Sequence, residues 1–68
     1  MKTQTYDVNF DDDSSSNSKG FYWTKEQCMD YIEIYNGTEH SYFKDYKGGT
    51  VSIVCNETGE TVYEELVS

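Results

Sequence analysis

The residues whose types and spacing could do chemistry are few: His40 beside Ser41, two cysteines at 28 and 55, and Asp11, Asp13 and Ser15 at alternate positions. A serine or cysteine nucleophile needs a base within hydrogen-bond reach and a third group to orient that base. His40 is the only histidine, and no sequence pattern supplies it with an orienting partner. The cysteines lack the C-x-x-C spacing of zinc and redox sites, and both fall on faces that read as core, so buried thiols are expected. The acidic run resembles the start of a calcium loop. However, its sixth position is Ser16 rather than glycine and its twelfth is Tyr22 rather than glutamate, so it fails both geometric requirements. Without a nucleophile–base pair, metal set or phosphate loop, the chain is expected to be neither an enzyme nor a cofactor carrier.

What remains is charge. Thirteen acids stand against five lysines in 68 residues, a net charge of −8, together with seven tyrosines and an aromatic fraction of 16%. Disordered acidic chains are poor in aromatics, so these numbers describe a folded domain with an acidic surface. One small domain spanning 1–68 is expected, with a core that is marginal at this length: such a chain buries only about 60% of its unfolded surface. The opening Met1-Lys2-Thr3-Gln4-Thr5-Tyr6-Asp7 has no apolar leader core, and no apolar run approaches the ~18–20 residues of a membrane span. A cytoplasmic protein with reduced thiols is the corresponding expectation. The sequons at Asn36 and Asn56 then read as chance.

The elements that position these residues follow from periodicity. Tyr6, Val8 and Phe10 alternate with polar residues from Thr5 to Phe10, which predicts a strand with one buried face. The Asp/Ser-rich stretch 11–20 reads as a mobile loop. Thr24-Lys25-Glu26-Gln27 fits a capping box, with Trp23 and Cys28 placed as a hydrophobic staple. Cys28, Tyr31, Ile32 and Tyr35 then form one helical stripe, ended by Asn36-Gly37. The segment 38–49 is a connector in which Ser41-Tyr42-Phe43 forms a short strand or a turn. Thr50–Cys55 is the clearest strand, and Asn56-Glu57-Thr58-Gly59 predicts a hairpin turn. Register can be tested by burial. Pairing Ile53 with Val62 and Val51 with Glu64 puts Val51, Ile53, Cys55, Val62 and Leu66 on one face; pairing Ile53 with Tyr63 splits that set, so the first is expected. The fold class is therefore α+β: a β-α-β-β domain, a three-stranded antiparallel sheet with one helix on one face and no second helix after Thr38. The first strand is placed beside the hairpin, since a hairpin alone is marginal in water.

The stretch from Gly48 to Gly59, with Asp7-Val8-Asn9-Phe10-Asp11-Asp12 and Ser16-Asn17-Ser18-Lys19-Gly20-Phe21, resembles small acidic uncharacterised proteins of Gram-positive bacteria and their phages or mobile elements. The likeness covers most of the chain and implies a context rather than a mechanism. In size and acidity alone, the chain also resembles the small anti-defence proteins of phages.

Two surfaces are candidates for partner binding. The first is acidic: Asp11, Asp12, Asp13, Asp30, Glu33, Glu57, Glu60, Glu64 and Glu65, on predicted loops, the outer helix face and the hairpin. It fits a basic protein that handles nucleic acid, with carboxylates standing in for phosphates. Direct nucleic-acid binding is not expected, since the charge repels phosphate. The second is aromatic: Trp23, Tyr42 and Phe43, residue types enriched at interface hot spots, which would suit a small regulatory adaptor whose charge serves solubility.

Overall fold

In the computed structural model, which describes residues 4–68, six elements follow in order: β1 (Tyr6–Asp11), β2 (Ser16–Ser18), α1 (Lys25–Tyr35), α2 (Tyr42–Asp45), β3 (Thr50–Cys55) and β4 (Thr61–Leu66). The strands form one antiparallel sheet in the order β2-β1-β3-β4. The predicted α+β class and the place of β1 beside the hairpin both hold, but the sheet has four strands and a second helix exists. Residues 1–3, which open the leader reading, lie outside the described residues.

The alternation in β1 and β3 has the consequence expected of it. Val8, Phe10, Val51 and Ile53 are fully buried on one face, covered by Cys28, Tyr31 and Ile32 of α1. The capping box is complete: the Gln27 amide donates to Thr24 Oγ1 (3.1 Å), and the Thr24 amide donates to Gln27 Oε1 (2.9 Å). Tyr35, the last residue of the stripe, is half-buried and stacks on His40 (3.9 Å between ring centroids). α1 ends where Asn36 turns extended and Gly37 takes φ +92°.

Two segments depart from the sequence expectation. Where a mobile loop was predicted at 11–20, the Asp12 carboxylate accepts from the amides of Ser14 (2.9 Å) and Ser15 (2.8 Å), turning the chain back so that Ser16–Ser18 pairs with β1. Small polar residues give this strand no hydrophobic alternation. It is held instead by Tyr46, whose hydroxyl receives the Asn17 amide at 2.7 Å. In the connector, where a short strand or a turn was expected at 41–43, Tyr42–Asp45 forms one helical turn, and it drives Phe43 into the core against Phe10. The expectation of no helix after Thr38 is thus overturned. A single turn lacks the length for an apolar stripe and leaves no periodic signal.

The hairpin register also differs. The turn itself is as predicted, with Gly59 at φ +76°, its amide donating to Cys55 O, and the Cys55 amide donating to Glu60 O (both 2.8 Å). Beyond it a bulge shifts the ladder between Ile53 and Val54, so that Ile53 faces Tyr63 and Val51 faces Glu65 rather than Val62 and Glu64. A bulge adds one residue to one strand and exchanges its faces from that point on. Val67 enters the core at 3% exposure, while Leu66 turns to the uncovered face at 73%. Backbone bonds between Val67 and Gly48–Gly49 (2.9 Å each) fix this end of the strand, and hydrophobic pattern alone does not encode them.

Gly49 is needed for close approach. A Cβ there would fall on the Asp11 carbonyl oxygen and lie 3.1 Å from the Tyr46 carbonyl oxygen. Both obstacles are backbone, so Gly49→Ala is expected to destabilise the domain by roughly 1–3 kcal/mol, the usual cost of overpacking. Denaturant titration reads this directly, and a midpoint equal to wild type would contradict the packing described.

Candidate functional site

The nine candidate acids do not converge on one surface. Three of them hold local structure. Asp12 caps the β1–β2 turn. Glu57 accepts from the Thr5 amide (2.8 Å) and hydroxyl (3.1 Å), fastening the hairpin loop to the chain before β1. Glu65 accepts from Asn36 Nδ2 and from the Tyr63 hydroxyl, and so ties β4 to the end of α1. The other six, Asp11, Asp13, Asp30, Glu33, Glu60 and Glu64, are exposed.

Their placement follows from the register. Asp11 pairs with Thr50 and Tyr6 with Cys55, so the Asp11–Asp13 turn and the Glu57–Glu60 loop lie at opposite ends of the sheet. The face of the sheet away from α1 is bare and polar, a shallow trough lined by Asn9, Asp11, Ser52, Val54, Thr61 and Glu64. On the opposite face, a groove runs between α1 and β4. Its floor is Met29 and Tyr63, and its rims carry Glu26 and Asp30 at one end and Glu33 and Glu65 at the other. Among the described residues, Lys25 is the one cation lining it. The sequence identified Asp30, Glu33 and Glu65 separately. Their meeting along one groove depends on the bulge that turns Glu65 rather than Glu64 toward the helix.

Hydrogen bonds to backbone amides favour the charged form of a carboxylate. The amides of Ser14 and Ser15 hold Asp12 below its usual value, and the Thr5 amide does the same for Glu57. A carboxyl depressed in the folded state contributes stability above its unfolded pKa and loses it as pH falls through the folded value. Melting temperature is therefore expected to decline as pH drops below about 4.5, where unperturbed carboxylates begin to protonate. Asp12→Asn together with Glu57→Gln should flatten that decline; an unchanged pH profile in the double variant would contradict the assignment.

The aromatic candidates are dispersed. Phe43 is fully buried, which removes it from any surface. Trp23 is half-buried, stacked on Phe21 at 3.6 Å, and its backbone bridges Tyr6. Tyr42 is half-buried beside Phe10, with the Lys19 ammonium 5.2 Å from its ring. Among the described residues, the exposed large apolar ones are Tyr22, Ile34 and Leu66, none of them one of these three aromatic candidates, and Leu66 was expected on the buried face.

The remaining chemical groups are accounted for structurally. Ser41 adopts φ +52°, and its hydroxyl accepts from Lys19 Nζ at 2.7 Å, while His40 stacks on Tyr35; the adjacent pair is not hydrogen-bonded to one another as nucleophile and base. Cys28 and Cys55 are free and buried, and burial pushes the Cys28 thiol up to about 11. Both thiols are shielded from solvent, so both are expected to resist a thiol reagent in the native protein and to react in denaturant. Rapid native labelling of either would contradict their burial. Sequence also missed Asp7. It occupies an outward strand position but is buried, its carboxylate accepting from the amides of Val8 and Phe21 (2.8 Å each).

Among the described residues, no group of three or more His, Cys, Asp or Glu is placed to hold a metal, and no helix is long and apolar enough to cross a membrane. Comparison with protein-family models, curated proteins and solved structures found no match.

Proposed function

We propose that this is a non-catalytic acidic interaction protein that binds and inhibits a basic, nucleic-acid-handling protein, as an anti-defence factor of a phage or mobile element. The observation that carries the reading is the division among the acids. Three are consumed in turns and ties, whereas six are exposed along a trough, a groove and both ends of the sheet. A surface of this kind attracts a basic partner over long range and raises the association rate most at low salt. The phage and mobile-element context rests on the sequence resemblance.

Immobilised protein exposed to host lysate at low and high salt tests the reading. Basic nucleic-acid-binding proteins retained at low salt and released at high salt are the expected result. A partner held equally at both, and lost on Trp23→Ala or Tyr42→Ala, would replace this reading with the aromatic adaptor.

A further inference from the structure

The outer edge of β4 is an unfinished strand ladder. In an antiparallel pair, the backbone groups of alternate residues point toward the neighbouring strand and away from it. Val67 bonds to Gly48 and Gly49, and Glu65 and Tyr63 share its parity across from Val51 and Ile53. The amides and carbonyls of Glu64 and Leu66 therefore point away from β3, on the side where the sheet has no further strand among the described residues. Asn36 closes only the end of this edge. Its Nδ2 donates to Leu66 O and its Oδ1 accepts from the Ser68 amide (both 2.9 Å), as a short strand would. The backbone of Glu64 is left open, with the α1–β4 groove directly on its inner side.

Charge selects what can complete the ladder. A second copy would bring the Glu64 and Glu65 side chains of two chains of net charge −8 alongside one another, and like charges opposed across strands are destabilising. The opposite edge, at Ser16–Ser18, is only three residues long and uncharged. We propose that the β4 edge accepts an extended segment of a protein partner, with lysine or arginine at alternate positions, as a fifth strand. Main-chain bonds to Glu64 would supply affinity, as in other strand additions. Residues two apart in a strand lie on one face about 7 Å apart, so alternate side chains of the segment enter the groove. Their aliphatic stems lie on Met29 and Tyr63, with charged ends among Asp30, Glu33 and Glu65. This deepens the basic-partner reading and rests on it.

The probe is a short synthetic peptide of alternating lysine and valine, compared with the same peptide N-methylated at alternate amides, which keeps the charge and removes the pairing donors. Titrated into the isotope-labelled protein, the unmodified peptide should shift the amide resonances of Glu64 and Leu66 and slow exchange of the Glu64 amide. N-methylation should weaken binding by roughly tenfold or more, the equivalent of one or two backbone hydrogen bonds. Asp30→Lys with Glu33→Lys, which leaves the strand edge intact, should weaken both peptides. Equal binding of the two peptides would overturn strand addition while leaving attraction to a basic partner standing. Binding of neither, or shifts confined to the Asp11–Asp13 turn, would overturn the inference without touching the lysate result.

Discussion

Phe10→Ala is expected to unfold the domain at ambient temperature. Phe10 is fully buried at the centre of the aromatic core, with Phe43 edge-on at 4.8 Å, Tyr42 at 5.6 Å and Tyr46 at 5.9 Å. Those three rings come from α2 and its boundary, so Phe10 is the residue through which the connector is fastened to the sheet. Truncating a buried phenylalanine costs about 3–5 kcal/mol, and small domains lie at the lower end of the usual 5–15 kcal/mol of stability. The loss should therefore approach the whole stability. Circular dichroism and amide dispersion read the outcome, and Phe10→Leu should retain the fold with a lower melting temperature. A Phe10→Ala variant that melts cooperatively near wild type would show that the aromatic cluster is not what holds α2 in place.

The second large effect is on binding. Asp30→Lys with Glu33→Lys, and Asp11→Lys with Asp13→Lys, reverse exposed charges that have no structural duty described above. Stability should change by no more than about 0.5 kcal/mol for each such surface substitution. Affinity for a basic partner should instead fall by several kcal/mol in the set that lies at the interface, because reversal opposes like charges there. Neutral replacements in the same positions should cost less. Asp12, Glu57 and Glu65 are poor choices for this test, since their loss loosens the turn, the hairpin loop and the β4 tie. Reversal of both sets without effect on a salt-sensitive complex would place the interface elsewhere.

The parts of the fold visible in the sequence are those governed by local rules. Alternation located β1 and β3, the Thr24–Gln27 box located the start of α1, and Gly59 located the turn. The parts that escaped are set by tertiary contact. β2 is polar on both sides and depends on the Tyr46 hydroxyl. The β4 bulge trades the predicted Ile53–Val62 pairing for burial of Val67 and a carboxylate tie to Asn36. Asp7 reads as an outward residue by alternation, and the amide that satisfies its carboxylate in the fold comes from Phe21, fourteen residues further along. The same limit applies to the acids. Composition reveals their excess, but only the register separates the structural Glu65 from the exposed Glu64 and brings the former to the groove with Asp30 and Glu33.

The most direct measurement is competition. A basic partner captured at low salt is challenged with duplex DNA, single-stranded DNA and RNA, and the protein released is quantified. Carboxylates that occupy a nucleic-acid cleft predict mutually exclusive binding: the partner's own nucleic acid should displace this protein, and this protein should inhibit the partner's action on it. A ternary complex, with nucleic acid and this protein bound together and the partner's activity unchanged, would contradict the account.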